Sequence, residues 1–263
     1  MGFWNVLSLS EDHRLPHLSD DLSRLRVDMV GLSETRRPGS GETSSKKGFT
    51  YYWSGTSNGH HVKGVAIGVS SRLQPSFVEV TPVDERIMRL RLKHSLGFMS
   101  VVAVYAPTEV CETEEKEMFY AKLDSVLDQC PRRDALIVLG DFNAVTGTER
   151  AGYEICVGPH GSGTRNDNSS FLLNFARSRR LRIAGSWYQR PALHRWTWYS
   201  NAGGGSEGDR SYPCQYSLED PPELEGFSEC RVLCDRSQAC CCFTQAPYHF
   251  QKASKMQPHC VSS

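Results

Sequence analysis

Long apolar stretches are missing from this chain, as is any excess of charge of one sign. No segment approaches the roughly 20 apolar residues needed to span a bilayer, and the first residues lack the basic and apolar regions of a signal peptide. The 30 Lys and Arg side chains are balanced by 30 Asp and Glu. We therefore expect an intracellular protein, nuclear or cytoplasmic, without membrane contact, for which the charge permits but does not demand a nucleic-acid partner.

Cysteine is sparse in residues 1–204 and concentrated after them. Three of the ten cysteines precede residue 205, which fits a reducing compartment. In residues 205–263 a Gly-rich start and scattered prolines leave no sustained period of 2 or 3.6 residues. The sequence therefore predicts one domain over residues 1–204 and an irregular or disordered tail over residues 205–263.

Strand and helix signals alternate through residues 1–204, which predicts an α/β fold. Apolar runs predict strands, and apolar residues at helical spacing predict three helices. The predicted strands are 3–9, 27–32, 49–53, 62–69, 77–81, 87–93, 98–105, 136–139, 181–184 and 196–199, and the predicted helices are 15–25, 113–129 and 169–180. Residues 36–47 and 147–168 are predicted to be polar loops.

The octet Leu136–Asn143 carries the most specific functional signal in the chain. Leu136 to Leu139 is fully apolar, as expected of a strand buried on both faces, and Gly140 ends it. Asp141 and Asn143 follow two residues apart, so their side chains can point to the same side. A carboxylate and an amide placed there can activate a water and orient a charged substrate. The alternative interpretation is a strand that ends in an Asx turn.

Other predicted strands also carry polar residues at or near their ends. Asn5 lies within the first strand, Glu34 follows the second, and Tyr105 ends the strand before Pro107. Together with Asp141, carboxylate and amide oxygens at one sheet edge form a ligand set suited to Mg²⁺ that keeps several waters. Taken singly, each residue has a structural explanation as a turn, a cap or a core side chain. Taken together, in this order, they favour a functional site.

These motifs resemble the successive motifs of the endonuclease/exonuclease/phosphatase superfamily. The segments that carry the resemblance are 4–6, 31–36, 104–108 and 140–143, and segments 166–175 and 195–199 resemble the retrotransposon-type endonuclease branch. The resemblance covers roughly residues 1–204. It implies a four-layer α/β sandwich of two mixed β-sheets flanked by helices, a Mg²⁺-dependent phosphodiesterase or DNA endonuclease activity, and DNA as the partner.

The resemblance also implies a role for each candidate residue. The main Mg²⁺ ligand would be Glu34 with Asn5 beside it, and Mn²⁺ is the alternative metal. Asp141 would activate or position the attacking water, and Asn143 would hold the phosphate or orient Asp141. The predicted phosphate contacts are Tyr105, Asn168 and Arg165. The basic run Arg177, Arg179, Arg180 and Arg182 would either touch backbone phosphates or be a solvated helix end.

Two C-terminal motifs of the superfamily, a strand with an Asp and an Asp-His pair, are missing in frame. With allowed codons, Glu207–Pro213 and Cys234–Cys241 give both motifs when read one base later. We therefore expect that splicing, a lesion or a gene-model error shifted the frame near Gly204, and that the C-terminal strands are absent. The implied enzyme would be impaired. The alternative function is a non-catalytic interaction protein derived from a retrotransposon endonuclease.

Overall fold

The structure, a computed structural model, describes residues 1–56, 63–189 and the backbone of 239–242. The motif at 195–199, the strand predicted at 196–199 and most of the tail therefore lie outside the described residues. Within the described ranges, no helix combines the length and apolar character that crossing a bilayer requires.

The first sheet is built from the N-terminal strands. They are β1 (Gly2–Asn5), β2 (Met29–Ser33), β3 (Ser40–Ser45), β4 (Phe49–Ser54) and β5 (Val65–Ser70), in the spatial order β1-β2-β5-β4-β3. β1 and β2 pair in parallel and the other neighbours are antiparallel, so the sheet is mixed. Helix α1 (Leu15–Arg24) covers the outer face, because Leu15, Leu18 and Leu22 repeat at helical spacing and pack on the sheet.

The second sheet is also mixed. Its strands are β6 (Phe77–Pro82), β7 (Ile87–His94), β8 (Gly97–Tyr105), β9 (Ala135–Asp141), β10 (Leu181–Ile183) and β11 (Ala239–Cys242), in the order β10-β11-β9-β8-β7-β6. The strands from β10 to β8 are parallel, and β8, β7 and β6 are antiparallel. Helices α2 (Thr113–Asp128) and α3 (Asp167–Arg179) pack on its outer face.

The two sheets face each other across an apolar layer. Side chains of both sheets alternate into this layer, where Phe3, Met29, Ile67, Leu90 and Leu139 are fully buried. The layers are therefore helix, sheet, sheet and helix pair, which confirms the predicted four-layer sandwich. The same packing brings the ends of β1 and β2 close to the ends of β8 and β9.

The predicted polar loop 36–47 is wrong, because residues 40–45 form the edge strand β3. Its residues are Ser, Gly, Glu and Thr, and most of them are exposed. Hydrogen bonds with β4 hold the strand in place without an apolar face. A pattern search based on buried residues therefore cannot detect it.

A strand also lies in the segment for which the sequence predicted an irregular tail and no C-terminal strands. β11 inserts between β9 and β10 and pairs in parallel with both. It overlaps the end of 234–241, the segment whose shifted reading contains the Asp-His pair. The sheet offers two parallel edges, on β9 and β10, for pairing even to a sequence without strand alternation.

One buried ion pair fixes the start of β9 and gives a first testable prediction. The Asp134 side chain is 2% exposed, and its carboxylate accepts hydrogen bonds from Arg91 Nε (2.7 Å) and Ser100 Oγ (2.8 Å). Burial pushes the pKa of Asp134 upward, but these hydrogen bonds outweigh it and hold the pKa below its usual value. We expect Asp134→Asn to lower the free energy of unfolding by about 2 kcal/mol at neutral pH.

The loss should depend on pH with a defined sign. A lowered pKa means that the charged form stabilises the fold above the unfolded pKa of about 3.9, and that this stabilisation disappears as the pH falls through the folded pKa. Chemical denaturation at several pH values should therefore show the two proteins converging in acid. Asp20→Asn, which removes a half-exposed partner of Lys47, should change stability little. A difference that is constant down to pH 3 would contradict the assignment.

Candidate metal and phosphate site

Four strand ends meet at one edge of the sandwich. Asn5 ends β1 beside Ser33 of β2, and Tyr105 ends β8 directly beside Asp141 of β9. Glu34 follows β2 by one residue. Since each of these strand pairs is parallel, their carboxyl ends lie on the same side, and the packing of the sheets brings the two pairs together.

An amide connects the two carboxylates of the site. Asn5 Nδ2 donates a hydrogen bond of 2.6 Å to Glu34 Oε1, and the Asn5 side chain also hydrogen-bonds Asp141. Asn5 Oδ1 accepts from Leu7 N at 3.0 Å. These contacts fix the amide orientation, so Asn5 turns its nitrogen toward the carboxylates. The structure therefore places Asn5 as a donor that orients Glu34 and Asp141, whereas the predicted role was that of an oxygen ligand.

The surroundings of Asp141 destabilise its charged form. Burial raises its pKa to about 6, and the nearby negative charge of Glu34 contributes to the increase, while hydrogen bonds from Asn143 and Asn5 oppose it. Glu34 has one cationic contact among the described residues, Arg36 Nη2 at 3.3 Å. A bound cation would offset the negative charge of Glu34 that helps to raise the pKa of Asp141.

The main chain of Asn143 holds Asp141 in place. Asn143 N donates to Asp141 Oδ1 at 3.0 Å, and Asn143 Nδ2 donates to Ala106 O at 2.9 Å. Its φ of 48° lies in the left-handed region, which Asn tolerates better than most residues. Glu34 has a φ of 55° as well. Left-handed backbone at Glu34 and at Asn143, two residues after Asp141, is typical of functional sites.

The first turn of α3 supports this arrangement. Asn166 Nδ2 and Asn168 Nδ2 donate to Asn143 O at 2.9 Å and 3.0 Å. Asn168 Nδ2 also donates to Pro107 O at 3.0 Å, and the residue is 3% exposed. Both amide hydrogens of Asn168 are thus used within the fold, so neither is left for the predicted phosphate contact. The structure makes Asn168 a positioning residue that acts through Asn143.

Tyr105 keeps its proton in this site. Its hydroxyl donates to Glu34 Oε1 at 3.4 Å, and Arg86 lies 5.5 Å from the ring centroid. Burial, reinforced by the charges of Glu34 and Asp141, raises the pKa of Tyr105 well above its usual value. A neutral phenol is a hydrogen-bond donor at all physiological pH values, as contact with a phosphate oxygen requires.

Arg165 lies beside the site rather than in it. Its Nε donates to Thr146 O at 3.0 Å, and Nη2 donates to Glu149 O. The side chain therefore holds the loop that follows Asn143. The structure brings together Asn5, Glu34, Tyr105, Asp141 and Asn143, with Asn168 behind them and Arg165 at the margin.

Two arginines at the site received no role from the sequence, and Asn166 was placed only in a loop that could contact a phosphate. Arg36 contacts Glu34, Arg86 Nη1 donates to Tyr105 O at 3.0 Å, and Asn166 clamps Asn143. Asn166 was detectable in principle, because its position three residues before Ser169 forms a capping box at the start of α3. The two arginines come from turns with no local signal of their contacts.

The donor set fits a hard divalent cation. Within the described ranges, no cluster of three or more His, Cys, Asp or Glu side chains could hold a metal. The site instead offers two carboxylates linked by an amide, which suits Mg²⁺, an ion that is bound through one or two carboxylates and retains water. Mn²⁺ accepts the same oxygen ligands.

The chain matches one protein family and is similar in sequence to curated proteins. The family described as Endonuclease/Exonuclease/phosphatase family matches residues 2–208. Craniofacial development protein 2 of Tragulus javanicus is 31% identical over 205 residues, which are 77% of this chain and 34% of that protein. The Bos taurus protein of the same name is 30% identical over 77% of this chain and 33% of its own length. The chain spans about a third of the length of these curated relatives.

Solved structures give lower similarity. The endonuclease domain of TRAS1, a telomere-specific non-LTR retrotransposon, is 15% identical with a TM-score of 0.43 and coverage of 65% of this chain and 69% of that chain. The Xenopus laevis APE2 catalytic domain is 16% identical with a TM-score of 0.48 and coverage of 76% of each chain.

Proposed function

The chain belongs to the endonuclease/exonuclease/phosphatase family, and on that premise we propose that its site hydrolyses phosphodiester bonds of DNA with a bound divalent cation, Mg²⁺ in preference to Mn²⁺. The observation that carries the proposal is the pair of carboxylates, Glu34 and Asp141, joined by Asn5 at the meeting point of four strand ends. Both acids are partly buried, and a bound cation would offset the negative charge of Glu34 that helps to raise the pKa of Asp141.

Glu34 would hold the cation, and Asn5 beside it would orient the Glu34 carboxylate through its amide nitrogen. When bound, the metal would neutralise charge that develops on the phosphate oxygens. The residues of the chain supply the remaining functions. Asp141 would accept a proton from the attacking water or align that water for in-line attack. The Asn143 main-chain N–H keeps the Asp141 carboxylate in a fixed orientation.

Tyr105 would donate a hydrogen bond to a phosphate oxygen. Its raised pKa keeps the hydroxyl protonated next to two acids, and Arg86 fixes the main chain at this residue. Asn143 Nδ2 is engaged with Ala106 O, which supports the orienting role of Asn143 over the phosphate-holding role. Asn168 contributes by holding the Asn143 carbonyl.

We further propose that this chain is a weak enzyme, because the Asp and Asp-His motifs are absent from its reading frame. A positioned acid–base group contributes roughly 10²–10⁴ in rate. A chain in which residues after 204 are translated one base later should therefore nick supercoiled plasmid with Mg²⁺ at least about 100-fold faster than this chain. Both proteins should be inactive in EDTA.

The other outcomes of this assay are equally informative. Nicking by neither protein, with both folded, would favour the non-catalytic interaction protein. Equally fast nicking by this chain would show that the missing motifs are dispensable and would overturn the proposed impairment.

A further inference from the structure

Outside the carboxylate site, two arginines share one aromatic ring. The guanidinium carbons of Arg165 and Arg177 lie 5.3 Å and 5.1 Å from the ring centroid of Tyr153. We call these three residues the Tyr153 cluster. We infer that the Tyr153 cluster is a second phosphate-binding site, which holds the sugar-phosphate backbone of DNA beside the scissile bond. This inference rests on the proposed function, because it assumes a nucleic-acid substrate.

The charges of the cluster are not neutralised by carboxylates of the described residues. Arg165 donates to the carbonyl oxygens of Thr146 and Glu149, and Arg177 Nη2 donates to Asn174 Oδ1 at 3.3 Å. Two cations around one ring repel each other, and neutral partners do not cancel that repulsion. A polyanion that binds both guanidinium groups would compensate it.

The next arginine on α3 shows the contrast. Arg179 lies two residues after Arg177, and its guanidinium pairs with Asp124 and Asp128 of α2. Arg182 stacks on Trp187 at 5.0 Å. The basic run of α3 and β10 is therefore divided, with two arginines used by the fold and Arg177 turned toward Tyr153. From the sequence alone, these arginines had the same predicted role.

The Tyr153 ring holds the two arginine side chains close to each other. Tyr153 is held by its hydroxyl, which donates to Asn174 Oδ1 at 2.9 Å. Cation–π contacts of this kind contribute about 0.5–1 kcal/mol each at exposed sites. They reduce the motion of side chains that would otherwise be free, so less entropy is lost when a phosphate binds.

The location of the cluster relative to the site fits one continuous backbone. Arg165 directly precedes Asn166, which clamps the Asn143 carbonyl. Arg177 lies ten residues after the first residue of α3, roughly 15 Å along the helix axis. Both guanidinium groups nevertheless meet at the Tyr153 ring, beside the loop that follows Asn143. Contacts of this kind position the nucleic acid and carry no base specificity.

The test is binding of the full chain to a short fluorescent DNA duplex, measured by anisotropy in EDTA so that no cleavage occurs. The double variant Arg165→Gln/Arg177→Gln should bind about tenfold more weakly at low salt. It should also lower the slope of log affinity against log salt by about 2. The effect should be the same for duplexes of unrelated sequence.

Two comparisons separate the cluster from general charge. Arg72→Gln removes the same charge at the far end of β5, where Arg72 pairs with Asp28, and should leave the affinity unchanged. Tyr153→Leu should weaken binding about threefold with an unchanged salt slope, because it removes the ring and no charge. Tyr153→Phe should restore the affinity. Thermal melting of each variant checks that the fold is intact.

The results distinguish this inference from the proposed function. If the double variant keeps the affinity and salt slope of the original chain, or if Arg72→Gln weakens binding equally, the inference is wrong. Failure of the original chain to bind DNA in EDTA would also overturn it. Arginine-dependent binding without Mg²⁺-dependent nicking by the frame-restored chain would leave the cluster standing and reject the nuclease. If the double substitution leaves nicking unchanged at every salt concentration, the cluster is rejected and the nuclease stands.

Discussion

Glu34→Gln should abolish the response of this protein to divalent cations. In the unaltered chain, Mg²⁺ or Mn²⁺ should raise the melting temperature, because an ion that binds only the folded state stabilises it. The variant keeps the size of the side chain and removes its charge. The site would then retain the single carboxylate of Asp141, and the cation-induced rise should disappear. In the frame-restored chain, nicking should fall by about 100-fold or more.

The same substitution should have the opposite effect on stability without added metal. Glu34 and Asp141 repel each other, so removing one charge should leave the melting temperature in EDTA equal or higher. Glu42→Gln removes the same charge from the exposed strand β3 and should change neither response. A cation-induced rise that persists in Glu34→Gln would refute the metal assignment, whatever the nicking result.

Gly140→Ala should cost the fold about 3 kcal/mol, near the upper end of overpacking effects. A Cβ atom at this position would lie 2.1 Å from Val104 Cγ2 and 2.8 Å from Val104 O. Val104 is fully buried and pairs with Gly140 across β8 and β9, so it has no room to move aside. The strands must separate, one residue before the paired ends at Tyr105 and Asp141.

This substitution should therefore damage the site as well as the fold. Chemical denaturation measures the effect on the fold. The effect on the site is measured as the loss of the cation-induced rise in melting temperature, starting from a temperature at which the variant is folded. Gly39→Ala is the control, because its Cβ would have nothing within 4 Å and only the left-handed backbone, with a φ of 58°, opposes it. That cost is about 1 kcal/mol. Equal losses in the two variants would show that packing at Gly140 is unimportant.

Much of the fold and the membership of the site could be predicted from the sequence. Apolar runs such as Val101–Val104 and Leu136–Leu139 are long enough to identify buried strands, and polar residues at their ends converge because parallel strands end together. The edge strand β3 escaped detection because its hydrogen bonds to β4 leave no apolar pattern. β11 escaped detection because its four residues lie in a stretch without sustained strand alternation, and pairing with β9 and β10 sets its conformation.

The contacts of individual side chains could not be predicted in the same way. Spacing places Asn168 near the site, but it does not show that both amide hydrogens are used by Pro107 and Asn143. The acids that neutralise Arg179 come from α2, more than 50 residues earlier in the chain. Such partners depend on how the helices pack on the sheet, and this packing cannot be predicted from the local sequence.

The proposed acidic site can form only late in the synthesis of the chain on the ribosome. Asn5, Glu34 and Asp141 are separated by long stretches of chain, and they meet only when the second sheet has formed against the first. Since α3 also clamps Asn143, the arrangement is completed only after residues of that helix have been synthesised. A nascent chain that stalls before this helix therefore cannot assemble the arrangement proposed to cut DNA.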